Sequence, residues 1–368
     1  MKTQNLTKAG FYALAFGSML YFPSCKKTVA NEPQVSITAA ASEDLIAAAN
    51  KVDIYVSAAD TAAAVNNLYL YGAASHDILQ ENTYNTGAKD GNGVYYNVAT
   101  DELYQLSRKN KTLYVFANAS AMSSNPIPAR TFTDSTLTSG REIAYDSKRD
   151  ILYIANNTDS SIRIYKRFSN QSGSVAGRKV KIAGQPWGLS YDAKENRLIV
   201  VMDLAAMRLD IFDNPNKLEE GSATASRSIN IADRPNGTFS RLHGVTYNTD
   251  IDALFVTEIG EAAAPVGGDT PGKPPFNADG GIYIIKDAAN KLATGGPVSA
   301  DAIIYGTSTT LGNPVDVASK VIGGNAYIFV AEKANKKILL FKFNDTGNVS
   351  PSSSGTVTFA PEAITLSK

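Results

Sequence analysis

The chain has 368 residues, 43% of them hydrophobic, with 28 Gly, 15 Pro and more Tyr (18) than Phe (14); this is enough apolar material for a sizeable core and a composition weighted toward strands and turns. Lys plus Arg and Asp plus Glu both number 35, so no net field draws the protein to nucleic acid or another polyanion. The single cysteine excludes an internal disulfide.

At the N-terminus, Lys2 and Lys8 precede an apolar run from Ala9 to Phe22, the plan of a signal peptide whose apolar part is too short for a comfortable membrane span. Phe22-Pro23-Ser24-Cys25 resembles a lipobox, in which the cysteine thiol is acylated and becomes the new N-terminus; Ser24 fits the pattern, while Phe22 and Pro23 depart from its strict form. The resemblance implies a lipoprotein of Bacteroidetes type, held to the membrane through Cys25 and placed in the bacterial cell envelope at the outer membrane. Lys26-Lys27-Thr28 lacks the acidic residues of surface-exported lipoproteins, which leaves periplasmic and surface-facing orientations open. Residues 1–24 are thus read as signal peptide, 25–43 as a small, polar, flexible tether, and 44–368 as the folded domain.

From there a unit recurs: an apolar strand ending in Tyr-Asp or Tyr-Asn, a polar turn, a Leu-Tyr-Val strand, a loop, and a third strand ending in an aromatic. EIAYDSKRDILYIANNTDSSIRIYK (142–166) and GLSYDAKENRLIVVMDLAAMRLDIF (188–212) are the clearest copies; others start at Gly93 and Gly244, with degenerate copies from Leu45 to Tyr71 and from Val315 to Phe341. First strands are expected to end at Asn50, Asn97, Asp146, Asp192, Asn248 and Ser319, and third strands at Tyr71, Phe116, Tyr165, Phe212, Ile285 and Phe341. Fourth, outer strands are expected at Thr131–Thr133, Val180–Ile182, Arg227–Ile231 and Val357–Phe359. A period near 47 residues with several strands per unit predicts propeller blades, because one blade cannot bury both of its faces and must stack on neighbours around an axis. The expected fold is all-β: a six-bladed β-propeller of four-stranded antiparallel blades. The units resemble the NHL and YVTN-type repeats of bacterial propellers, a resemblance that implies a six-bladed fold shared by binding proteins and unrelated enzymes.

In such a blade the loops between second and third strands emerge with those entering the inner strands, so both converge on one mouth of the channel, the default binding surface. Entries to inner strands supply Asn92, Arg141, Trp187, His243 and Pro314; ends of second strands supply Arg108, Asn157, Asp203, Glu258 and Glu332. From these, the ligand-binding set is Arg141, Trp187, His243, Asn157, Asp203, Glu258, Arg108 and Glu332. The Gly/Pro-rich insertion of blade five, Glu261–Gly281, is expected to loop over the same mouth. Each residue has a second reading: Trp187 stacks a sugar or wedges between blades, His243 is a ligand or a hydrogen-bonded structural residue, and Arg141 clamps a carboxylate or pairs with Glu142 or Asp203. The carboxylates surround a cation or hold turns.

No catalytic residue is assigned and no metal site. Asn248–Asp252 and Asn277–Gly280 lack calcium-loop spacing and are read as turns; His76 has no metal-ligating partner nearby. Asp60-Thr61-Ala62 and Asp134-Ser135-Thr136 match a short O-glycosylation sequon only weakly. Three functions compete: a monomeric, non-catalytic binding protein for a protein partner or small ligand, with no cofactor; a divalent-cation-dependent hydrolase or lyase, lactonase-like, with calcium in the channel; and a scaffold. Against the enzyme, Trp187 and His243 precede Gly188-Leu189 and Gly244-Val245 where gluconolactonase-like propellers carry Asn or Asp, and two histidines are too few for a streptogramin-lyase-like site.

Overall fold

The computed structural model describes residues 51–62, 66–74, 77–204, 207–232, 241–261, 263–269, 271 and 275–367; the signal peptide, Cys25, the tether, Leu45–Asn50 and His76 lie outside them. The described residues form six sheets of four or five strands, a six-bladed β-propeller. The inner strands Gly91–Asn97, Gly140–Asp146, Gln185–Asp192, Leu242–Asn248, Pro314–Ile322 and Ala360–Leu366 stand side by side around the axis.

Blade one departs from the expected pattern. Its inner strand is Ala360–Leu366, paired antiparallel with Val52–Ala59, so the first-strand end placed at Asn50 is corrected: the C-terminus supplies that strand and closes the ring. Closure of this kind joins the two ends of the chain in one ladder and leaves no free inner edge. The outer strand of blade six is Ser353–Thr356 rather than Val357–Phe359, because Ala360 onward belongs to the next sheet. Blades two, three and four each gain a fifth strand: Gly173–Ser174, Gly221–Ser222 and Gly296–Val298 reach back, parallel, to the outer strand of the preceding sheet. Blade five also carries an unexpected short helix, Ala288–Thr294, with Leu292 buried.

The Tyr-Asx repeat has a structural cause. Tyr96, Tyr145, Tyr191 and Tyr247 donate their hydroxyls to Asp101, Asp150, Asn196 and Asp252, five residues on, at 2.8, 2.9, 2.9 and 2.9 Å. Each acceptor sits in the left-handed region, φ 47–53°, where Asp and Asn are tolerated because their side chains bond locally. The same Asx side chains receive bonds from the turn after the third strand, as Asp101 does from Ser120 and Asp150 from Ser169. One motif therefore pins both hairpins of a blade at the end of the ring away from the mouth.

Period two in the strands assigns alternate residues to alternate blade interfaces. Ile162 and Ile164 face the core shared with Leu198 and Val200 of blade four, while Tyr165 turns to the core shared with Leu113 and Phe132 of blade two. Each such buried side chain stabilises by roughly 1.5–3 kcal/mol relative to exposure.

Candidate binding site at the channel mouth

Five of the six inner strands shift register near their entry, at Gly91/Val94, Gly140/Ile143, Pro186/Leu189, Leu242/Val245 and Pro314/Asp316; the sixth does so opposite Ser57/Ala58. A bulge re-aims the side chain it carries, and here the bulged residues include Asn92, Arg141, Trp187, His243, Val315 and Glu362. A cavity of about 260 Å³ results, lined by Arg141, Asn157, Trp187, Asp203 and His243 together with Arg241, Asn313 and Lys333.

Three consecutive blades contribute a stack. The Arg141 guanidinium carbon lies 4.0 Å from the Trp187 ring centre, and the His243 ring lies 3.7 Å from it at 10°. Trp187 is the middle layer, so both its faces are covered and neither is free to stack a sugar. Its role is to hold the guanidinium flat, with the in-plane N–H donors left at the edge.

Asp203 is buried and receives two hydrogen bonds from Arg241, at 2.8 and 2.7 Å, and one from Asn157 at 3.5 Å. His243 Nε2 stands 3.7 Å from Asp203 Oδ1, an electrostatic rather than hydrogen-bonding distance. Burial alone would raise the Asp203 carboxyl, yet His243 and Arg241 hold it below the carboxylate range. Burial lowers the His243 imidazole to about 4, with Arg241 and Arg141 adding to the effect against Asp203, so the ring is neutral at pH 7. Arg141 is brought down to about 10 by burial and by Arg108 and stays charged.

Around the rim, cations meet carboxylates: Arg108 bonds Asp90 at 2.6 Å, Arg241 bonds Asp203, and Lys333 bonds Glu362. Arg141 is matched by no carboxylate among the described residues; it donates one long bond, 3.5 Å, to Asn92 Oδ1. The pairing of Arg141 with Glu142 or Asp203 that the sequence left open is therefore not formed.

Glu142 turns instead into the lumen, a cavity of about 250 Å³ below the mouth, and meets Asp316 from across the ring. Glu142 accepts from the Ile143 amide and Asp316 from the amides of Val317 and Ile364, each at 2.8 Å. Burial and the mutual approach raise Glu142 well above its usual range, and burial raises Asp316 to about 7, so both are pushed toward the protonated form. Glycines opposite make the room: a Cβ on Gly93 would lie 2.8 Å from the Arg141 carbonyl oxygen and 3.0 Å from Glu142 Oε1, and one on Gly244 would lie 2.6 Å from Asp316 Cα.

The structure brings Arg141, Trp187, His243, Asn157 and Asp203 together. Arg108 is engaged with Asp90 beside the cavity. Glu258 is buried against the Tyr283 hydroxyl. Glu332 is buried and accepts from the backbone amides of Gly312, Asn313, Ala334 and Asn335, which makes it a loop holder. Ile259, two residues before the insertion, lines the mouth, and within the insertion the Asn277 carbonyl accepts from Asn335. The turn reading of Asn248–Asp252 agrees with the geometry, since Asn248 accepts from the Asp250 amide; Asn277 and Ala278 instead belong to a short 3-10 helix, Phe276–Ala278, and Asp279 accepts from the distant Glu261 amide. Arg241, Lys333, Asn313, Glu142 and Asp316 were missed. For the last two a signal existed: they fall in the column that holds Gly93, Gly188 and Gly244 in other repeats.

These features define a six-bladed β-propeller with a polar, charge-paired channel mouth. No family model matches the chain, and no curated protein does. Among solved structures it is similar to a periplasmic gluconolactonase from Pseudomonas aeruginosa (TM-score 0.54, 9% identity, 86% of this chain and 99% of that one). It is also similar to a candidate 6-phosphogluconolactonase from Bacteroides fragilis (0.55, 13%, 86% and 98%) and to a chain of a nidogen/laminin complex (0.55, 11%, 86% and 98%). Its structural neighbours thus include propellers of the lactonase type; at such identities the likeness shows the fold alone.

Proposed function

We propose that this chain is an envelope lipoprotein, anchored at the outer membrane through acylated Cys25, whose propeller binds a small ligand at the channel mouth without catalysis. It works as a monomer, joined to the anchor by the polar segment 25–43. The observation that carries the reading is the Arg141–Trp187–His243 stack: a charged guanidinium, fixed in orientation and matched by no carboxylate among the described residues, at the edge of a small polar cavity. Trp187 is the only tryptophan, so its emission reports directly on that cavity. Titrating the protein with small anions, glycans and peptides is expected to shift Trp187 fluorescence for at least one class, and Arg141→Gln to abolish the response. Silence across the panel would leave the scaffold role.

A second reading, a divalent-cation-dependent lactonase-like hydrolase or lyase, is favoured by the Glu142–Asp316 pair in the lumen and by lactonases among the structural neighbours. The donor set fits a metal poorly: among the described residues no three His, Cys, Asp or Glu side chains converge, and both lumen carboxyls are occupied by backbone amides. Melting with calcium and with EDTA separates the readings, because an ion that binds only the folded state raises its stability. A rise of several degrees with calcium, together with hydrolysis of a sugar lactone that Glu142→Gln removes, would replace the binding reading.

A further inference from the structure

The ligand's chemistry can be read from what the mouth leaves unmade. Arg141 Nε, both ring nitrogens of His243 and Asn313 Oδ1 are buried polar atoms with no hydrogen-bond partner among the described residues, and all three residues line the same cavity. His243 is only 2% exposed and Asn313 5%. A buried donor or acceptor left without a partner forfeits its bond to water, and native chains keep few of them. Several in one small cavity mark a place where the partners come from outside the chain.

Charge and shape narrow the partner. Arg141 brings one unmatched positive charge, while Glu362, Asp90 and Asp203 act on it from nearby and would repel a second negative charge on the ligand. The stacked guanidinium offers a planar fork, which a planar carboxylate meets with two parallel bonds. A neutral imidazole has one donor and one acceptor nitrogen, and the Asn313 amide ends beside the same space. A hydroxyl both donates and accepts, so it satisfies either group. An ammonium would face Arg141, Arg241 and Lys333 on the same walls and is disfavoured. Resting on the binding reading above, we infer that the mouth takes a small hydroxy-monocarboxylate, its carboxylate on Arg141 and a hydroxyl against His243 and Asn313.

The test uses the full lipidated chain in detergent, with Trp187 emission, calorimetry and thermal melting as readouts. Lactate and glucuronate are the probes; glucose, glycine and inorganic phosphate are the comparisons. Lactate and glucuronate are expected to shift the emission and raise the melting temperature. Arg141→Lys, which keeps the charge and loses the fork, should weaken binding about 10-fold, Arg141→Gln should remove it, and Asn313→Ala should weaken glucuronate severalfold. Each variant's unliganded melt checks that it folds. The inference is overturned if phosphate or glucose binds as tightly as the hydroxy acids, or if lactate binds Arg141→Gln unchanged. Should only a glycan or peptide perturb Trp187, the ligand class falls and the binding reading stands; should nothing perturb it, both fall.

Discussion

Glu142 and Asp316 come from blades three and six and meet in the lumen, Glu142 accepting the Ile143 amide on Oε1 and Asp316 the Val317 and Ile364 amides on Oδ1 and Oδ2, and burial favours the protonated form of both. A carboxyl whose folded-state pKa is raised binds its proton more tightly in the native state. Its contribution to stability is then complete below the unfolded value near 4 and is lost as pH rises through the folded value of about 7 for Asp316. Glu142→Gln, whose amide oxygen keeps the Ile143 bond and whose amino group can face Asp316 without ionising, is expected to lessen the decline in stability between pH 5 and 8. Urea melts of parent and variant at both pH values measure it. Glu332, raised by burial to about 7, titrates in both proteins, so the difference between them isolates the lumen pair. An unchanged slope would contradict the raised lumen carboxyls.

His243 acts in the opposite direction. Its folded value of about 4 lies below the ordinary 6.5, so the unfolded chain binds the proton more readily, and stability is lost as pH falls from about 6.5 toward 4. Full loss of this contribution corresponds to about 3 kcal/mol. His243→Asn removes the titration, and its melting temperature should fall less steeply than the parent's over that window.

Gly188 is closed to any side chain. A Cβ there would overlap the carbonyl oxygen of His243, with the Val245 nitrogen 3.1 Å away, and backbone atoms cannot swing aside as a side-chain tip can. Gly188→Ala should cost about 2–4 kcal/mol in denaturant unfolding. Gly267→Ala, with nothing near it but φ +94°, should cost less, about 1 kcal/mol from backbone strain alone.

Ring closure supplies the largest effect. Removing Ala360–Leu366 takes away the inner strand of blade one and its ladder to Val52–Ala59, and it uncovers the apolar neighbours of Ala363 and Ile364, Tyr55 and Val94 in one core and Val56 and Val315 in the other. The shortened chain should show no cooperative thermal transition by circular dichroism. A truncated protein that still melted sharply would show that closure by the C-terminus is dispensable.

Much of this architecture was written in local pattern. Tyr-Asx followed by a Leu-Tyr-Val-like strand located second and third strands in blades two to five, because each of these repeats one short-range solution: a tyrosine hydroxyl meets an Asx in a left-handed turn five residues later. The entry positions were legible for the same reason, since a repeat that places one bulge places them all, and Arg141, Trp187 and His243 came to one cavity. What escaped were relations between distant segments. The strand closing blade one lies some 300 residues from its partner and has no tyrosine motif, so nothing local announces it. Glu258 and Glu332 look like rim carboxylates in the repeat, yet Tyr283 and the 312–335 loop draw them inward.

Local pattern therefore set the repeat, the blade count and the mouth positions of Arg141, Asn157, Trp187, Asp203 and His243, because period-two burial and turn chemistry act over a few residues at a time. Tertiary structure alone decided that Trp187 has both faces covered, that Arg141 lacks a carboxylate partner and that Glu142 meets Asp316. Those facts depend on distances across the channel, which only the closed ring sets.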